Sequence, residues 1–93
     1  MHHLHSAVVT IENQTYSATR TTPREAITDA LLIARAHESF RGNAFCAGML
    51  RAATRSERVW CSDGHADGAN NSLRASGLSG LVSVKHRCGS LDD

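Results

Sequence analysis

Four aromatic residues, Tyr16, Phe40, Phe45 and Trp60, are all that this chain carries. A protein that grips single-stranded nucleic acid stacks bases on aromatic side chains, and Tyr16, Phe40 and Phe45 fall on faces expected to be buried. Lysine is nearly absent: Lys85 stands alone against nine arginines. No apolar run approaches the roughly 18 residues of a membrane span, so no membrane partner is expected. The opening MHHLHSAVV has neither a basic n-region nor a long apolar h-region, so no secretion signal is expected. Three cysteines are an odd number, which argues against a disulfide framework and for a reducing, cytoplasmic setting.

What is present fits an ordinary globular domain. Hydrophobic content of 41% with 20% charged residues excludes global disorder. A net charge of +1 gives no overall pull toward nucleic acid. Ninety-three residues support one modest core and leave little room for an enclosed active site. The arginines suit planar, bidentate contacts to carboxylate or phosphate. A GC-rich coding genome would enrich arginine equally well.

The stretch from Thr22 to Gly42 organises the rest. Thr22 is a helix cap, Pro23 suits the first helical position, and Glu25 completes a T-x-x-E capping box. Gly42 suits the position after the last turn. At about 100° per residue, Phe40, Ile33, Ala26, His37, Ala30, Ala34, Ile27 and Leu31 share one face, with Arg24, Arg35, Thr28 and Ser39 opposite. His37 is expected to be partly buried and hydrogen-bonded.

Residues 7–20 alternate as a hairpin. Centred on Asn13-Gln14, it pairs Ile11 with Tyr16 and Val9 with Ala18 on the apolar face. Asn43 is expected to cap a second helix reaching about Ser56, with Phe45, Cys46, Met49, Leu50 and Ala53 at helical spacing. Arg58 to Cys61 reads as a short strand, and SDGHADGANNS as a loop. SLRAS reads as one helical turn, and Leu81 to Cys88 as the last strand. The fold expected is a two-layer α+β sandwich in the order β-β-α-α-β-short α-β, with two helices on one face of an antiparallel sheet of three or four strands. Residues 1–6, with His2, His3 and His5, and residues 89–93 are expected to be loose around a single domain at 7–88.

Several residue groups bear on chemistry. Cys61 and His65, with His86 and Cys88, would form a tetrahedral zinc site if their strands were neighbours, though the familiar C-x₂-C knuckle is missing. Cys61 and Cys88 fit equally as small apolar residues. Asp63, His65, Asp67 and Gly68 echo the start of a calcium loop, but the bidentate position is Arg74, so a polar turn is expected. No carboxylate is placed to orient a histidine beside Cys61 or Cys46, so no catalytic role is assigned.

Surface features point to binding. Arg51, Arg55 and Arg58 lie at i, i+4 and i+7 and can meet phosphates or acidic side chains. Leu32, with Ala36 near it, falls outside the buried arc of the long helix, and Trp60 alternates against Val59 and Cys61. Large apolar side chains outside the core mark interfaces.

The succession VVTIENQTYSAT and TTPREAITDALLIARA, a polar hairpin feeding a capped helix, resembles the layout of small phage- and prophage-encoded counter-defence proteins of the anti-CRISPR type. That resemblance covers about the first forty residues and implies a small protein that binds and blocks something larger. No functional residue follows from it. The expectation is therefore a non-enzymatic module without a cofactor, acting on a protein partner through Arg51, Arg55, Arg58, Leu32 and Trp60. The alternative is a zinc-stabilised or nucleic-acid-binding domain.

Overall fold

A computed structural model describes residues 3–62, 64–78 and 80–90 of the chain. Its elements are β1 (His3–Ile11), β2 (Gln14–Arg20), α1 (Pro23–Phe40), α2 (Ala44–Arg55), α3 (Glu57–Ser62), α4 (Ala66–Ala75) and β3 (Val82–Ser90). The sheet is antiparallel in the order β2-β1-β3. The expected α+β sandwich is the fold that forms. Strand pairing runs from Ile11↔Val82 out to His3↔Ser90, so the sheet reaches beyond the expected limits of residues 7 and 88.

The hairpin keeps its expected faces but not its expected register. Val9 pairs with Tyr16 and Ala7 with Ala18, so the two-residue turn is Glu12-Asn13. Glu12 takes the left-handed conformation (φ 53°), which a non-glycine residue adopts at some cost. Its amide donates to the Leu81 carbonyl at 3.0 Å, so contact with the segment before β3 holds the turn in place. Moving a turn by one residue shifts the pairing by two, which leaves each side chain on its own face. Ala7, Val9, Ile11, Tyr16, Ala18, Val82 and Val84 therefore all point to the helices and are buried.

Helix α1 begins as its sequence dictates: the Thr22 side chain accepts from the Glu25 amide, with Pro23 in the first turn. Its buried face is Ala26, Ile27, Ala30, Leu31, Ala34 and Glu38. Ile33 is 37% exposed and Phe40 92% exposed, so that flank of the expected face points to solvent. His37 is exposed too, its ring centroid 5.3 Å from that of Tyr16. The small residues Ala26, Ala30 and Ala34 bring the helix close to the sheet, and this closeness leaves no room for the larger flank.

Helix α2 starts at its Asn43 cap, whose side chain accepts from the Cys46 amide. Cys46, Leu50 and Ala53 are buried, whereas Phe45 is 59% exposed. The helices that contact the sheet are α1 and α4, and α2 lies against those two.

Residues 57–62 are a helix, not a strand, and 66–75 are a helix, not a loop followed by one turn. Trp60 explains the first correction. Its side chain is fully buried, and its Nε1 donates to the Ala53 carbonyl at 2.9 Å, a bond across the break between α2 and α3. Gly68 and Asn70 explain the second. Gly68 packs directly against the Trp60 backbone, where a methyl would lie 2.6 Å from the Trp60 Cα. Asn70 gives and takes a hydrogen bond at Val84, 2.8 Å each way, so α4 fastens to the edge of β3 as a neighbouring strand would.

Candidate functional site

The outer side of the α1–α2 pair carries an open groove of about 580 Å³. Leu32, Arg35, Ala36 and Ser39 line it from α1, and Ala44, Ala47, Gly48 and Arg51 from α2. Both sets follow the i, i+3, i+4, i+7 spacing that places side chains on one helix face. The turn Arg41–Asn43 folds α2 back on α1, so Ser39 and Ala44 mark the closed end. Arg35 stands seven residues before Gly42, next to Ala36, and so lies midway along the groove, whereas Leu32, ten before, and Arg51, nine after, mark the other, open end.

The groove continues into an exposed apolar band. Leu32 is 38% exposed, and Ile33, Ala36 and Phe40 follow it around α1. Ala36, His37 and Phe40 outline a shallow apolar depression beside the groove. A nearly bare phenylalanine beside three further apolar side chains is a concentration of the kind found at interfaces.

The electrostatics of the groove are one-signed. Between Ala30 and Ser56 the chain has four arginines and one acid, Glu38. Glu38 is buried and saturated: Tyr16 Oη donates to it at 2.7 Å, Arg41 Nη1 at 3.0 Å and Asn43 Nδ2 at 3.1 Å. Burial alone would raise the pKa of this carboxyl, but the donors Tyr16 and Asn43 and the Arg41 charge hold it below the ordinary value. Among the described residues no ion pair engages Arg35 or Arg51. Other arginines are neutralised, Arg20 by Asp29 and Arg24 by Glu57.

Two of the five residues expected to bind a partner, Leu32 and Arg51, converge in this groove. Arg55 and Arg58 are exposed but separate, because α2 ends at Arg55 and Arg58 belongs to α3. Trp60, expected to point outward, is instead fully buried in the core and offers nothing to a partner. Arg35 completes the site, although its place on the wheel set it on the face opposite the core. Glu38 gave only one signal in the sequence, a charged residue inside the apolar arc of α1.

The zinc set does not assemble. Cys61 lies half-buried on a helix, not at the end of a strand beside His86 and Cys88. Cys88 is exposed, and His86 is engaged by His5, with Nδ1 of His5 2.9 Å from Nε2 of His86. Among the described residues no group of three histidine, cysteine, aspartate or glutamate side chains is arranged to hold a metal. In the calcium-like stretch, Asp67 and Gly68 open α4, and Asp63 lies outside the described residues. Burial and the nearby Glu57 charge push the Cys61 thiol pKa up, away from the thiolate that nucleophilic chemistry requires, with Arg24 opposing them.

A second depression, of about 300 Å³, lies where the β1–β2 turn meets α4 and the start of β3. Glu12 and Arg74 are its charged residues, and its Asn70 is already committed to Val84. Among the described residues no helix is long and apolar enough to cross a membrane. Comparison with family models, with curated proteins and with solved structures finds no match to this chain, so the α1–α2 groove is assigned from its own residues alone.

Proposed function

We propose that this chain is a non-enzymatic binding module that docks a protein partner on the outer face of α1 and α2. In this reading it works in the cytoplasm and inhibits a larger complex by occupying one of its surfaces, as its resemblance to small counter-defence proteins implies. The observation that carries the reading is the exposed band of Leu32, Ile33, Ala36 and Phe40 beside an arginine-flanked groove. Leaving Phe40 in water forgoes roughly 1.5–3 kcal/mol that burial would supply, and a partner that covers it recovers that energy. The raised Cys61 pKa accords with a role other than nucleophilic catalysis.

Position-specific photo-crosslinking tests this. A photoreactive residue at Leu32 or Phe40 should yield one protein adduct from an extract of the source cells. The same residue at Ser17, on the bare face of the sheet, should yield none. Equal labelling from both faces, or none from either, would end this reading.

A further inference from the structure

We infer that the occupant of the groove is an acidic amphipathic helix of the partner, seated between α1 and α2 with carboxylates against Arg35 and Arg51. The inference rests on the protein-binding reading above and adds the chemistry of the ligand.

The groove decides the shape of its occupant. It runs along two helices that fold back on each other, each offering side chains at i, i+3, i+4 and i+7. Such rows accept the ridge of a third helix, which gains by interdigitating along its length. The walls near the closed end are Ala36, Ala44, Ala47 and Gly48, so nothing bulky holds a third backbone away. Leu32 at the open end and Phe40 at its flank supply the larger apolar contacts.

The groove also decides the charge. Its two charged side chains are both arginines, and no acid lines it. Of the acids on the two helices, Glu38 is buried and committed to Tyr16, Arg41 and Asn43, and Asp29, one turn before Leu32, is paired with Arg20. Because Arg35 stands midway along one wall and Arg51 at the open end of the other, the carboxylates of the ligand belong on the two flanks of its helix, in the half that lies toward that end. Arginine binds carboxylate through two parallel N–H donors, which fixes register as well as sign. A basic helix would bring like charges together there and be rejected.

Two synthetic amphipathic peptides of about 18 residues test this on the full chain. They share one Leu/Ala stripe and differ only in flanking Glu or Lys. By fluorescence anisotropy the Glu peptide should bind at least about tenfold more tightly, with a preference that narrows as salt rises. Backbone amide shifts on titration should cluster at residues 32–51. The double variant Arg35→Glu, Arg51→Glu should reverse the preference while its near-ultraviolet circular dichroism stays unchanged. Equal binding of the two peptides, no binding, or shifts on the sheet face would overturn the inference. So would displacement of the Glu peptide by a duplex oligonucleotide, which would make the site a phosphate cradle. Concentration-dependent dimers that the same double variant dissolves would instead make a second copy the occupant. If Leu32 crosslinks a protein while neither peptide binds, the binding module stands and the acidic helix falls.

Discussion

The Tyr16 hydroxyl donates to the Glu38 carboxylate at 2.7 Å, joining the edge strand to the last turn of the long helix. Arg41 and Asn43 complete the set, so one buried carboxylate fixes the turn that sets α2 against α1. The α1–α2 groove depends on that turn.

Tyr16→Phe should therefore cost about 1.5–3 kcal/mol, the range for a buried hydrogen bond to a charged group. The folded-state pKa of Glu38 lies below its ordinary 4.5, so the unfolded chain takes up that proton first as pH falls. Its contribution is present above about 4.5 and lost as pH drops through the folded value. The difference between wild type and Tyr16→Phe should be largest at neutral pH and shrink in acid. Urea denaturation across pH 3–7 measures it, and a pH-independent difference would show that Glu38 is not the partner that matters.

Gly68→Ala should destabilise the chain by about 3 kcal/mol, the upper end of the usual range for overpacking, because the added methyl meets the Trp60 backbone and not a movable side-chain end. Trimming the tryptophan ring by Trp60→Phe should not rescue it. Thermal melts of both single variants and the double variant decide the point. Rescue by Trp60→Phe would place the conflict at the ring instead.

His86 gives a second pH dependence, of the same sign. Burial first, and then the charges of His5 and His65, hold its pKa below 6.5. Its contribution to stability is complete above about 6.5 and declines as pH falls below that, since the unfolded chain binds the proton more readily. The melting temperature should fall between pH 7 and pH 5, and His86→Phe should flatten that slope. An NMR titration placing the His86 midpoint above 6.5 would reverse the expected sign.

Much of this architecture is legible in the residues. Thr22, Pro23 and Glu25 announce the start of α1, Asn43 that of α2, and the alternation of Val82 and Val84 the last strand. The segment from Arg58 to Ala75 is not. A three-residue apolar run, Val59 to Cys61, does not distinguish strand from helix, and Val59-Trp60 favours a strand by composition. Gly68, Asn70, Asn71 and Ser72 are poor helix formers. They are helical here because Gly68 permits the approach to Trp60, Asn70 fastens to Val84, and Ala69 and Leu73 are buried. Those contacts are made with residues distant in sequence, so no local pattern encodes them. The groove was half legible: the helical wheel set Leu32 outside the core, but pairing it with Arg51 required the turn that Glu38 holds.

The strand order β2-β1-β3 has a consequence for synthesis. The central strand precedes the helices in the chain, and Val82, which opens its second partner, lies 71 residues beyond Ile11. While the ribosome adds the four helices, β1 keeps one row of amides and carbonyls unpaired beside Ala7, Val9 and Ile11. A nascent chain in that interval offers the alternating apolar edge to which another strand can add. Completion of the sheet waits on contacts between residues at least 71 apart in the chain, and such long-range contacts slow folding. A chain truncated before Val82 would therefore expose an adhesive edge, and chaperone demand should peak just before the last strand leaves the exit tunnel.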